Sequence, residues 1–280
     1  MPWLPRSIQP PFAAVTALIF FLLLRQERRA VAGNLRRVSG RHGLALHWKV
    51  YLVFYSFCDL MVSYCYVPQA SHSQLRSMLV DKDRGAAKID QCLAANNGLI
   101  VWTAHLGNAE FASRLLEMHG RPVNVARVVE DNPAEQMLRD RMANERLKIV
   151  DLREGARATI DLLQALRRNE IVAIQGDRVY HARHSAEVPF FSKPASFPLG
   201  PFLLSQVSGA PVLPGFVIRE GWLRYRVLMG DPILPLPSGD RDACQRAGLC
   251  EAVRFLETAL TVHYDQWLNF FDVWPVHSRD

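Results

Sequence analysis

His105 and Glu110 stand five residues apart in Ala104-His105-Leu106-Gly107-Asn108-Ala109-Glu110, directly after the apolar run Leu99-Ile100-Val101-Trp102-Thr103. A neutral imidazole can take a proton from a hydroxyl. A carboxylate that accepts its other ring N–H fixes the tautomer and stabilises the imidazolium that forms. Five residues turn about 140° on an α-helix, so the two side chains diverge if both are helical. They meet only if His105 lies on a loop at the carboxyl end of a strand and Glu110 in the first turn of a helix. Asn108 can cap that helix, whose apolar face is Phe111, Leu115, Leu116 and Met118. The competing reading of the same spacing is a capping Asn108 beside a surface ion pair.

The motifs that are missing narrow the chemistry. There is no G-x-S-x-G elbow to supply a serine nucleophile, no H-E-x-x-H zinc helix, no P-loop and no G-x-G-x-x-G fingerprint. The nucleophile is therefore expected to belong to the substrate. His181 and His184 form an H-x-x-H pair without an acidic or cysteine partner at ligand spacing, so no metal is expected. Five cysteines, odd in number and never spaced C-x-x-C, indicate neither a disulfide framework nor a zinc site and fit a reducing cytoplasm. A formal net charge of +6 and a pI near 9.2 favour an anionic partner: a membrane surface, a phosphorylated lipid, an acidic carrier protein or nucleic acid.

The surrounding elements must bring these residues to one place. Apolar runs at 99–104, 122–129, 149–151 and 171–175 read as strands, and 81–95, 133–146 and 155–168 as helices between them. That alternation predicts an α/β fold: a mostly parallel central sheet with helices on both faces. His105 and Arg178 each follow a strand, so parallel strands would put both on one carboxyl rim. Val188-Pro189-Phe190-Phe191 and Phe197-Pro198-Leu199-Gly200-Pro201-Phe202 read as an irregular, proline-rich pocket wall. A β-hairpin is expected over 212–228 and a last helix over 241–264. At the N-terminus Phe12 to Leu24 is apolar apart from Thr16 and is followed by Arg25, Arg28 and Arg29. Thirteen residues fall short of the ~20 that cross a bilayer, so the expectation is an N-terminal membrane-associated helix, embedded or interfacial, with the arginines and Lys49 on the cytoplasmic side. A buried core helix is the alternative.

Several blocks together resemble a known family. They are His105-Leu106-Gly107-Asn108-Ala109-Glu110, Gln175-Gly176-Asp177-Arg178, Val188-Pro189-Phe190-Phe191, Phe197-Pro198-Leu199-Gly200-Pro201, Gly209-Ala210-Pro211-Val212 and His263-Tyr264-Asp265-Gln266-Trp267 with Trp274. In order and spacing, over about residues 35 to 275, they are similar to the late acyltransferases of lipid A biosynthesis, within the lysophospholipid acyltransferase superfamily. Glutamate rather than aspartate after the histidine fits that branch.

The apolar N-terminal run gives a membrane anchor over 1–30, and the resemblance implies an acyltransferase domain over 31–280 on the cytoplasmic face of the cell inner membrane. It implies transfer of a fatty acyl chain from acyl carrier protein or coenzyme A to a hydroxyl of a lipid acceptor, with no cofactor and no nucleic-acid partner. Carried onto this chain, His105 deprotonates the hydroxyl and Glu110 orients the imidazole. Arg178, with Asp177 beside it, holds a phosphate or stabilises the oxyanion, a salt bridge between the two being the plainer reading. Asn108, with Arg127, Glu130 and Asn132, faces the acceptor, a polar strand-to-helix loop being the alternative for the last three. Phe190, Phe191 and Phe197 line an acyl tunnel, with plain core packing as the overlapping alternative. Two rivals remain at this point: a hydrolase in which the same pair activates water on a thioester, and a non-catalytic lipid-binding relative.

Overall fold

The computed structural model describes residues 7–81, 85–129, 145–180, 184–235 and 240–274. In chain order these form α1 (Gln9–Leu23), α2 (Arg25–Ser39), α3 (Gly43–Ser63), α4 (His72–Met78), α5 (Ala86–Ala94), β1 (Leu99–Thr103), α6 (Ala109–Leu116), β2 (Val123–Arg127) and β3 (Leu147–Asp151). They continue through α7 (Ala156–Arg167), β4 (Ile171–Gln175), β5 (Ser185–Phe190), β6 (Lys193–Pro198), α8 (Gly200–Ser208), β7 (Val212–Gly221), β8 (Arg224–Met229) and α9 (Arg241–His263). The helix expected over 133–146 falls mostly outside the described residues, as do Glu130 and Asn132.

Six strands form one sheet in the order β3-β2-β4-β1-β7-β8. All neighbours are parallel except β8, which returns antiparallel from β7. Strand side chains alternate between faces, and here they sort into two cores. Leu99, Val101, Ile171 and Ala173 pack with Ile89 and Leu93 of α5 and Leu116 of α6. Ile100, Trp102, Val172 and Ile174 join the larger core beneath α3, α7, α8 and α9. Both faces of β1 are covered, which is why its sequence is apolar throughout rather than alternating. The mostly parallel α/β sheet with helices on both faces is as the alternation of elements indicated.

The proline-rich passage differs from expectation. It is regular: β5 and β6 form a separate antiparallel hairpin in which Pro189 stands opposite Pro194, followed directly by α8. A two-stranded ribbon tolerates these prolines because each strand has a free edge where a missing N–H costs no ladder bond. The turn is made by Phe191 and Ser192, both with positive φ (48° and 61°), in place of the asparagine and glycine that usually signal such a turn. Phe190 and Phe197 point inward and are fully buried. Phe190 stacks on Trp274 at 5.1 Å and meets Phe197 edge-on at 5.2 Å, and Trp267 closes the cluster at 5.9 Å. Phe191 packs at its margin against Phe190 and Trp274. These rings are core that ties the hairpin to the C-terminal segment, and they do not line the large apolar cavity described below.

At the N-terminus, Ala13 and Ala17 sink against α3 while Val15, Leu18, Leu22 and Leu23 are exposed, along with Leu44 and Trp48 of α3. The fifteen residues of α1 span about 22 Å, less than the ~30 Å of a bilayer core, and the chain bends by 97° between α1 and α2. Helix α3 lies on the run 43–69, which is long and apolar enough to cross a membrane, yet 56% of its most apolar window is buried inside the fold.

Phe190→Ala is expected to lower the free energy of unfolding by about 3–5 kcal/mol in urea denaturation, as for other fully buried phenylalanines. A loss below about 1 kcal/mol would mean that the ring faces empty space.

Candidate active site

Parallel pairing of β1 with β4 sets Thr103 opposite Gln175. Two residues beyond each strand end, His105 and Asp177 therefore leave the sheet side by side at its carboxyl rim, where open α/β sheets bind ligands. His105 Nδ1 lies 2.6 Å from Asp177 Oδ1, and the His105 backbone N–H donates to the same oxygen at 3.1 Å. Asp177 Oδ2 accepts from Trp267 Nε1 and Asn269 Nδ2, both at 3.2 Å. The carboxylate is fully buried, yet each oxygen has two donors. Burial alone would raise its pKa, but the His105 charge and hydrogen bonds, with the Arg178 charge, outweigh this and hold it at about 2. An ionised carboxylate only accepts, so Nδ1 of a neutral His105 carries the ring proton and Nε2 presents a lone pair. The imidazole is 17% exposed, enough to meet a substrate.

The loop carrying His105 is held on both sides. The His105 carbonyl accepts from Leu268 N–H at 2.7 Å, and Gly107 N–H donates to Gln266 O at 3.0 Å. Asn108 N–H donates to Val217 O of β7 at 2.8 Å. Residues 105–108 thus lie as an extra strand between β7 and the segment 266–268. Gly107 permits this approach: its φ is +73°, and a Cβ there would stand 2.0 Å from Val217 O. Gln266 locks the segment in turn, its side chain exchanging bonds of 2.8 and 2.9 Å with the Arg219 backbone.

Three expectations need correction. Glu110 does not hold the imidazole, because Asp177 occupies Nδ1; the first turn of α6 instead turns Glu110 toward Arg127, 3.7 Å away. Asn108 turns into the interior. It is buried, capping α6 through Phe111 N–H at 2.9 Å and donating to Ser63 Oγ and Tyr225 OH. Arg178 is a strut rather than a free fork: Nε bonds Asn269 Oδ1 at 2.9 Å, Nη2 bonds Leu268 O at 2.8 Å, and the guanidinium covers Phe271. It therefore braces the segment that also supplies donors to Asp177.

A cavity of about 480 Å³ opens between the sheet and helices α5 and α6 and reaches Thr103 and Gln175, each two residues before a member of the dyad. Small residues make the room: Val101, Val125, Ala173 and Gly215 on the sheet, and Ala112 and Ser113 on α6. Thr103, Glu110, Arg127 and Gln175 line its rim end. An apolar slot with a few polar groups at its mouth suits a long aliphatic chain with a polar head. Among the described residues no group of His, Cys, Asp and Glu is arranged to hold a metal. The sequence reading missed the tie between His105 and Asp177, although equal two-residue offsets from two strands carry that signal. It also missed Trp267 and Asn269 as donors, which no local pattern marks.

Two outcomes follow from this geometry. Asp177 titrates lower in the fold than its ordinary 3.8, so its contribution to stability is present above about pH 4 and lost as pH falls toward 2. Asp177→Asn should remove that part of the acid-unfolding slope, followed by circular dichroism. Gly107→Ala should destabilise by about 2–4 kcal/mol, read by urea unfolding, through both strain and displacement of β7.

The family described as bacterial lipid A biosynthesis acyltransferase matches residues 2–274. Phosphatidylinositol mannoside acyltransferases of two Mycobacterium tuberculosis strains, CDC 1551 / Oshkosh and H37Rv, are each 30% identical over 185 residues. The matched stretch is 65% of this chain and 57% of each relative, so the chain spans less than two thirds of the length of these relatives. With a family match across nearly all of its length, the chain belongs to the bacterial lipid A biosynthesis acyltransferase family.

Proposed function

We propose that the protein is a membrane-associated O-acyltransferase that moves a fatty acyl chain from a thioester of acyl carrier protein or coenzyme A to a hydroxyl of a lipid acceptor. The acceptor class is a lipid A precursor or a related glycolipid or phospholipid. Family membership supports acyl transfer to a glycolipid, and a relative named for acting on a mannosylated inositol lipid supports a sugar-bearing acceptor. The observation that carries the chemistry is the His105–Asp177 pair at the sheet rim, two residues beyond Thr103 and Gln175 at the rim end of an apolar cavity.

In this reading Nε2 of His105 takes the proton of the acceptor hydroxyl as its oxygen attacks the thioester carbonyl carbon. Asp177, which stays ionised, stabilises the imidazolium. The tetrahedral intermediate collapses with cleavage of the C–S bond, and the imidazolium returns its proton to the departing thiolate. The ester, the free thiol and a neutral imidazole result. Glu110 and Arg127, paired at the rim, flank the reacting centre and the head of the acyl chain. No protein nucleophile or resident cofactor is invoked.

Membrane attachment is assigned to α1, whose outward face carries Val15, Leu18, Leu22 and Leu23, continued by Leu44 and Trp48 of α3. Arg25 and Arg29 stand in solvent at the bend that follows, placed to meet anionic head groups on the cytoplasmic face of the inner membrane. Short length and one buried face favour a helix lying in the interface over one that spans.

His105→Ala should keep the fold and abolish acyl transfer, and Asp177→Asn should slow it about 10²- to 10⁴-fold by releasing the tautomer. Mass spectrometry of host lipids with wild type or His105→Ala tests this: one lipid lacking an acyl chain in the variant is the expected result. Wild-type lipids in the variant would sink the proposal. Release of free fatty acid whether or not lipid acceptor is added would favour a hydrolase.

A further inference from the structure

Resting on the reading that the cavity beside His105 takes the acyl chain, we infer that the His119–Asp90 bridge closes its far end and sets the longest chain the protein accepts. Helix α6 crosses from β1 to the parallel strand β2, so it starts at the carboxyl rim and ends at the opposite edge of the sheet. The cavity follows α6 along this path, from Thr103, Glu110 and Gln175 at the rim to Leu116, Met118 and His119 at the other end, with Ile89 and Asp90 of α5 across from them. A chain whose thioester carbon sits at His105 therefore has its methyl end directed toward His119.

That end carries the bridge. His119, in the short turn of helix Glu117–His119 after α6, places Nδ1 2.7 Å from Asp90 Oδ1. The bridge joins α6 to α5 over the gap between them. The His119 side chain is only 13% exposed, whereas the Asp90 side chain is 66% exposed, so the pair lies at the lip between cavity and solvent. The wall before it is apolar, made by Ile89, Leu116 and Met118. A chain reaching the bridge must either stop or displace two hydrogen-bonded polar groups. An aliphatic end gives them no replacement partner, and that penalty is what makes the pair a stop. Neither residue is near the dyad, and neither contributes to the cores that hold the sheet.

The test uses the purified full chain and saturated S-acyl-pantetheine thioesters of increasing chain length, which carry the arm common to both carriers. In the wild type, affinity should rise by about fourfold per methylene to an optimum and fall beyond it. In Asp90→Ala and His119→Ala the fall beyond that optimum should be abolished; Asp90 is exposed enough that its truncation leaves the fold intact. Both variants reproducing the wild-type fall at the same length would overturn the inference. A third variant, Ala112→Leu, narrows the middle of the cavity and separates the two ways of failing. An optimum moved to shorter chains by Ala112→Leu alone keeps the acyl cavity and puts the stop elsewhere, whereas an optimum unmoved by all three variants removes the cavity reading too.

Discussion

The site depends on one buried carboxylate being held ionised next to one imidazole. Asp177 has lost all contact with water, and an isolated carboxylate in that position would take up a proton. Four N–H donors prevent it: two from His105, one from Trp267 and one from Asn269. The same bonds that keep Asp177 charged fix the ring, choose its tautomer and tie the β1 loop to the β4 loop and the C-terminal segment. Removing any one donor loosens both the electrostatics and the geometry, so the pair is best regarded as the point where fold and chemistry share their contacts.

Around it, the protein uses backbone rather than side chains to hold position. Residues 105–108 pair with β7 on one side and with 266–268 on the other, and Arg178 and Gln266 brace that second segment through its carbonyls and amides. Backbone pairing leaves little rotational freedom, so the imidazole is presented at the rim in one position. It also leaves one face of the sheet rim clear, where small residues leave space between the β-strands and α6. Support thus runs along the plane of the sheet, and the cavity lies on one of its faces.

Legibility in the sequence followed the range of the interactions. Strands β1, β2 and β4 and helix α7 could be read almost to the residue, because apolar runs bounded by turn residues are local signals. The cap of α6 by Asn108 was readable for the same reason. The β5–β6 hairpin was not, since Phe191 and Ser192 adopt positive φ without the asparagine or glycine that announces it, and the energy that holds them there comes from rings packed by Trp267 and Trp274. Of the two readings open for Phe190 and Phe197, tunnel wall or core, their burial among these rings matches core packing.

By itself, the sequence determined the α/β class, the position of a histidine at a strand end, the absence of the common nucleophile and metal motifs, and a family resemblance carried by several motifs in order. Each of these rests on spacing within one element or on residue type. Which carboxylate serves His105 was decided only by the tertiary structure. Glu110 is five residues away along the chain, Asp177 seventy-two, and proximity in sequence favoured the first. Parallel pairing of β1 with β4 brings the second within 2.6 Å, while the first turn of α6 rotates Glu110 toward Arg127. A hydrogen bond is set by distance and direction in space, and strand register, which no local pattern encodes, fixes both.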